Sequence, residues 1–114
     1  MKHLKLIINN SFKSKNISFF DKKELRKILN LYAEMVSDGD WKDYSLNISN
    51  KEISFNIYKR SSEHPIYKIT KNLNYKNKND KYFVKDANGN LIKKSSELEN
   101  LINNVRWKKL KIVN

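Results

Sequence analysis

The chain has 114 residues, no cysteine, two glycines, one proline and a net charge of +12 from 24 basic and 12 acidic side chains. That length fits one domain, 1–114, with an ordinary core, and the missing cysteine excludes disulfides and thiolate metal centres and suits a reducing cytoplasm. No apolar run approaches the roughly 18–20 residues that span a bilayer, so a cytoplasmic protein without a membrane span is expected.

Leu4, Leu6 and Ile8 alternate with His3, Lys5 and Ile7, the period-two pattern of a half-buried strand. The basic start and short apolar stretch resemble a signal peptide only superficially, because Asn9-Asn10-Ser11-Phe12-Lys13 offers no small-residue cleavage site. Residues 9–16 are polar and read as a loop. A helix begins at Asp21: Asp21 and Glu24 spell a capping box, and Phe20 is placed to staple onto Leu25. Leu25, Ile28, Leu29, Tyr32 and Val36 then form one apolar stripe, with Phe20 completing the predicted buried set. Gly39 supplies a left-handed stop.

Tyr44, Leu46 and Ile48, then Ile53, Phe55 and Ile57, alternate with polar residues around Ser49-Asn50-Lys51-Glu52 and predict a hairpin. Pro65 opens a further strand with Tyr67 and Ile69 on one side. Residues 72–80 read as a polar loop. Asn88-Gly89 between Tyr82–Lys85 and Leu91–Lys94 marks a second tight hairpin. Ser96-Glu97-Leu98-Glu99 looks like another capping box, opening a short helix with Leu98, Leu101, Ile102 and Val105 inward. Alternation over residues 106–113 predicts a last strand. The expected fold is α+β: an antiparallel sheet of five to seven strands with one long helix in the N-terminal half and one short C-terminal helix, in the order β-α-β-β-β-β-β-α-β.

Three stretches carry a family likeness: Glu24-Leu25 with Ile28-Leu29 and Tyr32, Asp40-Trp41-Lys42-Asp43-Tyr44, and the run from Phe55 through Arg60-Ser61-Ser62-Glu63-His64-Pro65 to Ile69. In these the chain resembles an uncharacterised family of short bacterial proteins, domain of unknown function 2794. The likeness covers most of the chain but not the first strand. It implies one compact domain and transfers no functional residue.

Enzyme-like constellations are scarce. Ser62-Glu63-His64 holds an alcohol, an acid and an imidazole, but adjacent residues do not aim at one point, and a polar turn before Pro65 accounts for them. His3 and His64 are the only histidines, with no metal-ligand spacing. Asp38, Asp40 and Asp43 lack the glycine and distant glutamate of a calcium loop. Two glycines cannot build a phosphate-cradling loop. The sequence therefore predicts no catalytic residue, no metal and no cofactor.

Cations set beside aromatic rings remain. Residues 20–44 hold five cations and six anions, so the excess positive charge lies outside the long helix and its exit. Lysine predominates over the three arginines, and a solvated lysine surface accounts for the same composition. Lys59, Arg60, Lys68, Arg106, Trp107, Lys108 and Lys109 are the candidates for holding RNA or a ribonucleoprotein on a basic sheet face, cations on phosphates and rings on bases. Tyr67 and Tyr82 read as core rings. The alternative is a protein-interaction or regulatory module using the rings of Trp41, Tyr44 and Tyr58. A small metal-independent ribonuclease built on lysine, arginine and tyrosine is a third expectation.

Overall fold

The long helix forms where its caps are. In the computed structural model, which describes residues 4–8, 19–60 and 64–107, α1 runs Lys22–Ser37 behind an Asp21 N-cap. The capping box is complete: Asp21 Oδ1 accepts the Glu24 amide at 2.8 Å, and Glu24 Oε1 accepts the Asp21 amide at 2.8 Å. At the other end Gly39 adopts φ +83°, and the Gly39 and Asp40 amides donate to the Val36 and Met35 carbonyls. Those bonds satisfy carbonyls that the helix itself leaves without donors.

Six strands make one sheet in the spatial order β1-β2-β3-β4-β5-β6: Leu4–Ile8, Asp43–Ile48, Glu52–Tyr58, Tyr67–Asn72, Tyr82–Asp86 and Leu91–Ser95. The last five are antiparallel neighbours. β1 departs from the all-antiparallel expectation and pairs in parallel with β2, from Leu4 opposite Tyr44 to Ile8 opposite Ile48. The reason is the crossover: α1 lies between the two strands in the chain and returns it to the end from which β1 started. The second helix, α2, spans Leu98–Asn104. The strand expected over 106–113 is not formed at Arg106 and Trp107, and its remaining residues lie outside those described.

Strand alternation sends Tyr44, Leu46 and Ile48, Ile53, Phe55 and Ile57, and Tyr67 and Ile69 to one face, where Leu98 and Leu101 of α2 join the same core. α1 contributes Ile28, Tyr32 and Met35, with exposures of 0, 8 and 2%. The predicted stripe is therefore rotated. Met35 is inside, Leu25 and Leu29 are only partly covered, and Val36 is 37% exposed. Ring packing explains the shift: Tyr32 sits edge-on to Tyr44 at 4.7 Å and to Phe55 at 6.0 Å, while Tyr44 and Phe55 stack at 4.7 Å. Seating Tyr32 there turns Val36 away from the sheet and brings in the flexible Met35.

Glu24 is the other determinant. Its side chain is buried, and it accepts hydrogen bonds from Lys71 Nζ on β4 at 2.9 Å and from the Tyr82 hydroxyl on β5. One carboxylate thus joins the start of α1 to two strands. Local details also differ from expectation in the C-terminal half. α2 has no side-chain cap; Glu97 holds the cap position, and its amide donates to Ser95 Oγ. In the β5–β6 turn only Gly89 has positive φ (+82°), so this is not the two-residue Asn-Gly turn, in which both central residues need φ > 0. Asp86 Oδ1 organises the turn instead, accepting the Asn88 and Asn90 amides at 2.9 Å each.

These placements separate neighbouring positions on one helix. Ile28→Ala should cost about 2–5 kcal/mol, the range for a deleted core aliphatic. Val36→Ala should cost less than about 1 kcal/mol. Removal of the cap by Asp21→Ala should cost about 1 kcal/mol. Urea unfolding of the three variants measures all of this, and equal losses at Ile28 and Val36 would contradict the helix register.

Candidate functional site

Four chain segments meet at the end of the sheet where β3 finishes and β4 begins. Lys59 follows β3, Ile66 and Tyr67 open β4, Asp86 ends β5 opposite Tyr67, and Arg106 and Trp107 follow α2. With Asp40, Ile92 and the turn residues Ala87 and Asn88 they line a cleft of about 680 Å³. Trp107 is fixed in it. Its Nε1 donates to the Ile102 carbonyl at 3.2 Å, and its ring stands nearly perpendicular to Trp41 (5.6 Å, 85°) and Tyr67 (5.0 Å, 87°). A half-buried indole held on one side by two rings keeps part of its surface at the cleft. Arg106 is exposed, Lys59 half-buried and Asp40 buried. The cleft thus sets two cations and two carboxylates around an aromatic wall.

The candidates drawn from the sequence are divided by this arrangement. Lys59, Arg106 and Trp107 share the cleft. Lys68 does not; it is exposed on the opposite face of the sheet, paired with Lys85 across β4 and β5. Arg60 is exposed just beyond β3, and Lys108 and Lys109 lie outside the described residues. Lys68 therefore stands on a different surface from Lys59, Arg106 and Trp107, because alternation sends Lys68 to one side and Tyr67 to the other. Of the rings offered as a protein-binding surface, Trp41 and Tyr44 are core, at 1 and 5% exposure, and Tyr58 is half-buried. Nothing in the spacing of Asp40 or Asp86 marks either as a cleft residue; only the Asp-x-Asn-Gly turn signal lies near Asp86.

The sheet face opposite the helices carries a second feature that alternation alone misreads as solvated. Thr70 Oγ1 donates to Ser54 Oγ (3.5 Å), Ser54 Oγ to Asn56 Oδ1 (2.7 Å) and Asn56 Nδ2 to Ser45 Oγ (3.3 Å), while Ser45 Oγ and the Tyr58 hydroxyl are 3.1 Å apart. Ser45, Ser54, Asn56 and Thr70 are all buried. The row crosses three strands and pairs its buried polar atoms with one another.

A third feature is a groove of about 650 Å³ between the C-terminal half of α1 and β2, floored by Tyr32, Trp41 and Tyr44. Burial first, then the Asp43 carboxylate and then Tyr44, push the Tyr32 phenol up to about 12. Burial and then Asp43 raise Tyr44 as well. Tyr82 is raised by burial and then by its hydrogen bond to Glu24.

Of the polar groups weighed for catalysis or metals, His64 is exposed, whereas Asp40 and Asp43 are buried; Ser62 and Glu63 are not among the described residues. Asp43 Oδ1 accepts the Tyr44 amide at 2.8 Å. Among the described residues, no three His, Cys, Asp or Glu side chains are grouped so as to hold a metal ion, and no helix is long and apolar enough to cross a membrane. Residues 18–102 match the family model described as "Protein of unknown function (DUF2794)". No curated protein and no solved structure matches the chain.

The phenols give a pH test. A raised phenol binds its proton more tightly in the folded state than in the unfolded chain. The stability this confers is therefore complete below the ordinary value of 10.0 and is lost as pH rises through about 12 for Tyr32. Titrated by absorbance at alkaline pH, the folded protein should keep some phenols protonated at about pH 11, and Tyr32→Phe should remove one ring from that late fraction. Simultaneous ionisation of all tyrosines near their ordinary value in the folded protein would contradict the packing around Tyr32.

Proposed function

The chain belongs to the DUF2794 family, and we propose that it binds single-stranded RNA without catalysing a reaction. The observation that carries this reading is the meeting of Lys59, Arg106 and Trp107 in one cleft. Sequence-tolerant binding of single strands combines cations on the phosphates with flat rings under the bases. Trp107 suits the second role because its orientation is already fixed by Ile102, Trp41 and Tyr67, so little ordering entropy is spent when a base stacks. The carboxylates of Asp40 and Asp86 disfavour a phosphate deep in the cleft. They favour a base there instead, with its phosphates outside on Arg106 and Lys59. The charge of +12 adds a long-range attraction for any polyanion.

Fluorescence anisotropy of a labelled single-stranded RNA across a salt series tests the reading. Affinity should fall steeply with salt as phosphates release counterions. Lys59→Ala and Arg106→Ala should each reduce the salt slope by about 1. Trp107→Ala should weaken binding by about 1–3 kcal/mol at every salt concentration, with circular dichroism confirming the fold. Lys68→Ala, on the other face, should leave binding within about twofold of the parent protein. Absence of binding at low salt, or a Lys68 effect as large as that of Arg106, would overturn the proposal.

A further inference from the structure

α1 carries more apolar surface than the sheet covers. Ile28, Tyr32 and Met35 are spent on the core, yet Leu29, Ala33 and Val36 follow one another at i, i+4 and i+7 on the adjoining side. Leu29 is partly buried, while Ala33 and Val36 are exposed. This second strip forms one wall of the α1–β2 groove, and Tyr32, Trp41 and Tyr44 form its floor. At about 650 Å³ the groove lies within the roughly 300–1,000 Å³ of small-molecule sites, and like them it is lined mainly by apolar and aromatic side chains.

Its polar endowment is small. Ser37 offers a hydroxyl at the helix end, and Lys42 is the single charged residue among the described lining residues. Lys42 is exposed, and its backbone amide is fixed by the Tyr58 carbonyl at 2.9 Å. Asp43, at the start of β2, does not line the groove; its Oδ1 accepts the Tyr44 amide, and, second to burial, its carboxylate raises the Tyr32 and Tyr44 phenols. An apolar trough with one cation at its edge complements a molecule with an apolar body and one negative charge. Nucleic acid fits poorly, because the groove offers one cation and no hydrogen-bonding array for a base.

We propose that the α1–β2 groove binds a small apolar monocarboxylate, its hydrocarbon along Leu29, Ala33 and Val36 and its carboxylate at Lys42. The site is separate from the Trp107 cleft and does not depend on the function of that cleft.

Calorimetric titration with decanoate and with decanol, both below their aggregation concentrations, tests it. The parent protein should bind decanoate saturably. Lys42→Met should weaken decanoate by roughly two- to fivefold, the worth of an exposed ion pair, and leave decanol unchanged. Ala33→Trp, at an exposed helix position, should fill the trough and abolish binding of both ligands while circular dichroism and the thermal midpoint stay near those of the parent. Val36→Trp supplies an independent block should Ala33→Trp fail to fold. No saturable decanoate binding by the parent protein, undiminished binding in a folded tryptophan variant, or an equal loss of decanol and decanoate in Lys42→Met would each overturn the assignment.

Discussion

The Glu24 carboxylate fixes the relation between helix and sheet. It closes the capping box at the start of α1 and receives Lys71 from β4 and Tyr82 from β5. A buried charge is tolerable only with its partners in place; removing one member of such a set commonly costs about 3–5 kcal/mol. The side chains of Glu24 and Lys71 are only 11 and 16% exposed, so this is a nearly dry contact, unlike the surface pair of Lys27 and Glu99 that links the two helices. With the first turn pinned to the middle of the sheet, the rotation of the rest of α1 is set. Ile28, Tyr32 and Met35 follow Glu24 inward at spacings of four, eight and eleven. Leu29, Ala33 and Val36 are thereby left on the flank, where they wall the groove.

The same rotation explains which parts of the structure were legible in the sequence. Asp21, Glu24 and Gly39 act on backbone within a few residues of themselves, so the limits of α1 are readable. The alternation of Tyr44 to Ile48 and Ile53 to Ile57 is equally local and gives the first hairpin. Val36 and Met35 are not distinguishable in this way. Both fall close to the apolar stripe, and the choice between them is made by Tyr44 and Phe55 on distant strands. Glu24 looks like a capping residue and nothing more, since neither Lys71 nor Tyr82 announces a bond to it. At Lys59, Arg106 and Trp107 the sequence itself sets a cation beside a ring. Their convergence, and the exclusion of Lys68, depend on where β3 ends and α2 delivers the chain. Ser45, Ser54, Asn56 and Thr70 look solvent-facing by alternation, yet they satisfy one another across three strands.

The two functional readings draw on different physics. The proposed RNA site at the sheet end would rely on charge and a fixed indole, and its affinity would depend on salt. The proposed site beside α1 would rely on shape and apolar area, with salt acting only at Lys42 on its rim. The core contains the hinge between the two, since Trp41 floors the groove and also supports Trp107 edge-to-face. Its own Nε1 is buried and, among the described residues, meets no hydrogen-bond acceptor, an arrangement that carries an energetic cost. Shape rather than hydrogen bonding is what that position demands.

The spatial order of the strands also bears on how the chain acquires its structure. From β2 to β6 each strand lies beside its predecessor, and no connection exceeds nine residues: Ser49–Lys51 in the first hairpin, 59–66 and 73–81 in the middle, and Ala87–Asn90 in the last. Pairings of that kind have low contact order, close little loop entropy and form early. β1 must instead meet β2 across everything between Ile8 and Asp43, including all of α1. The antiparallel meander thus closes its pairings over short stretches of chain, whereas the parallel edge pairing carries the longest closure.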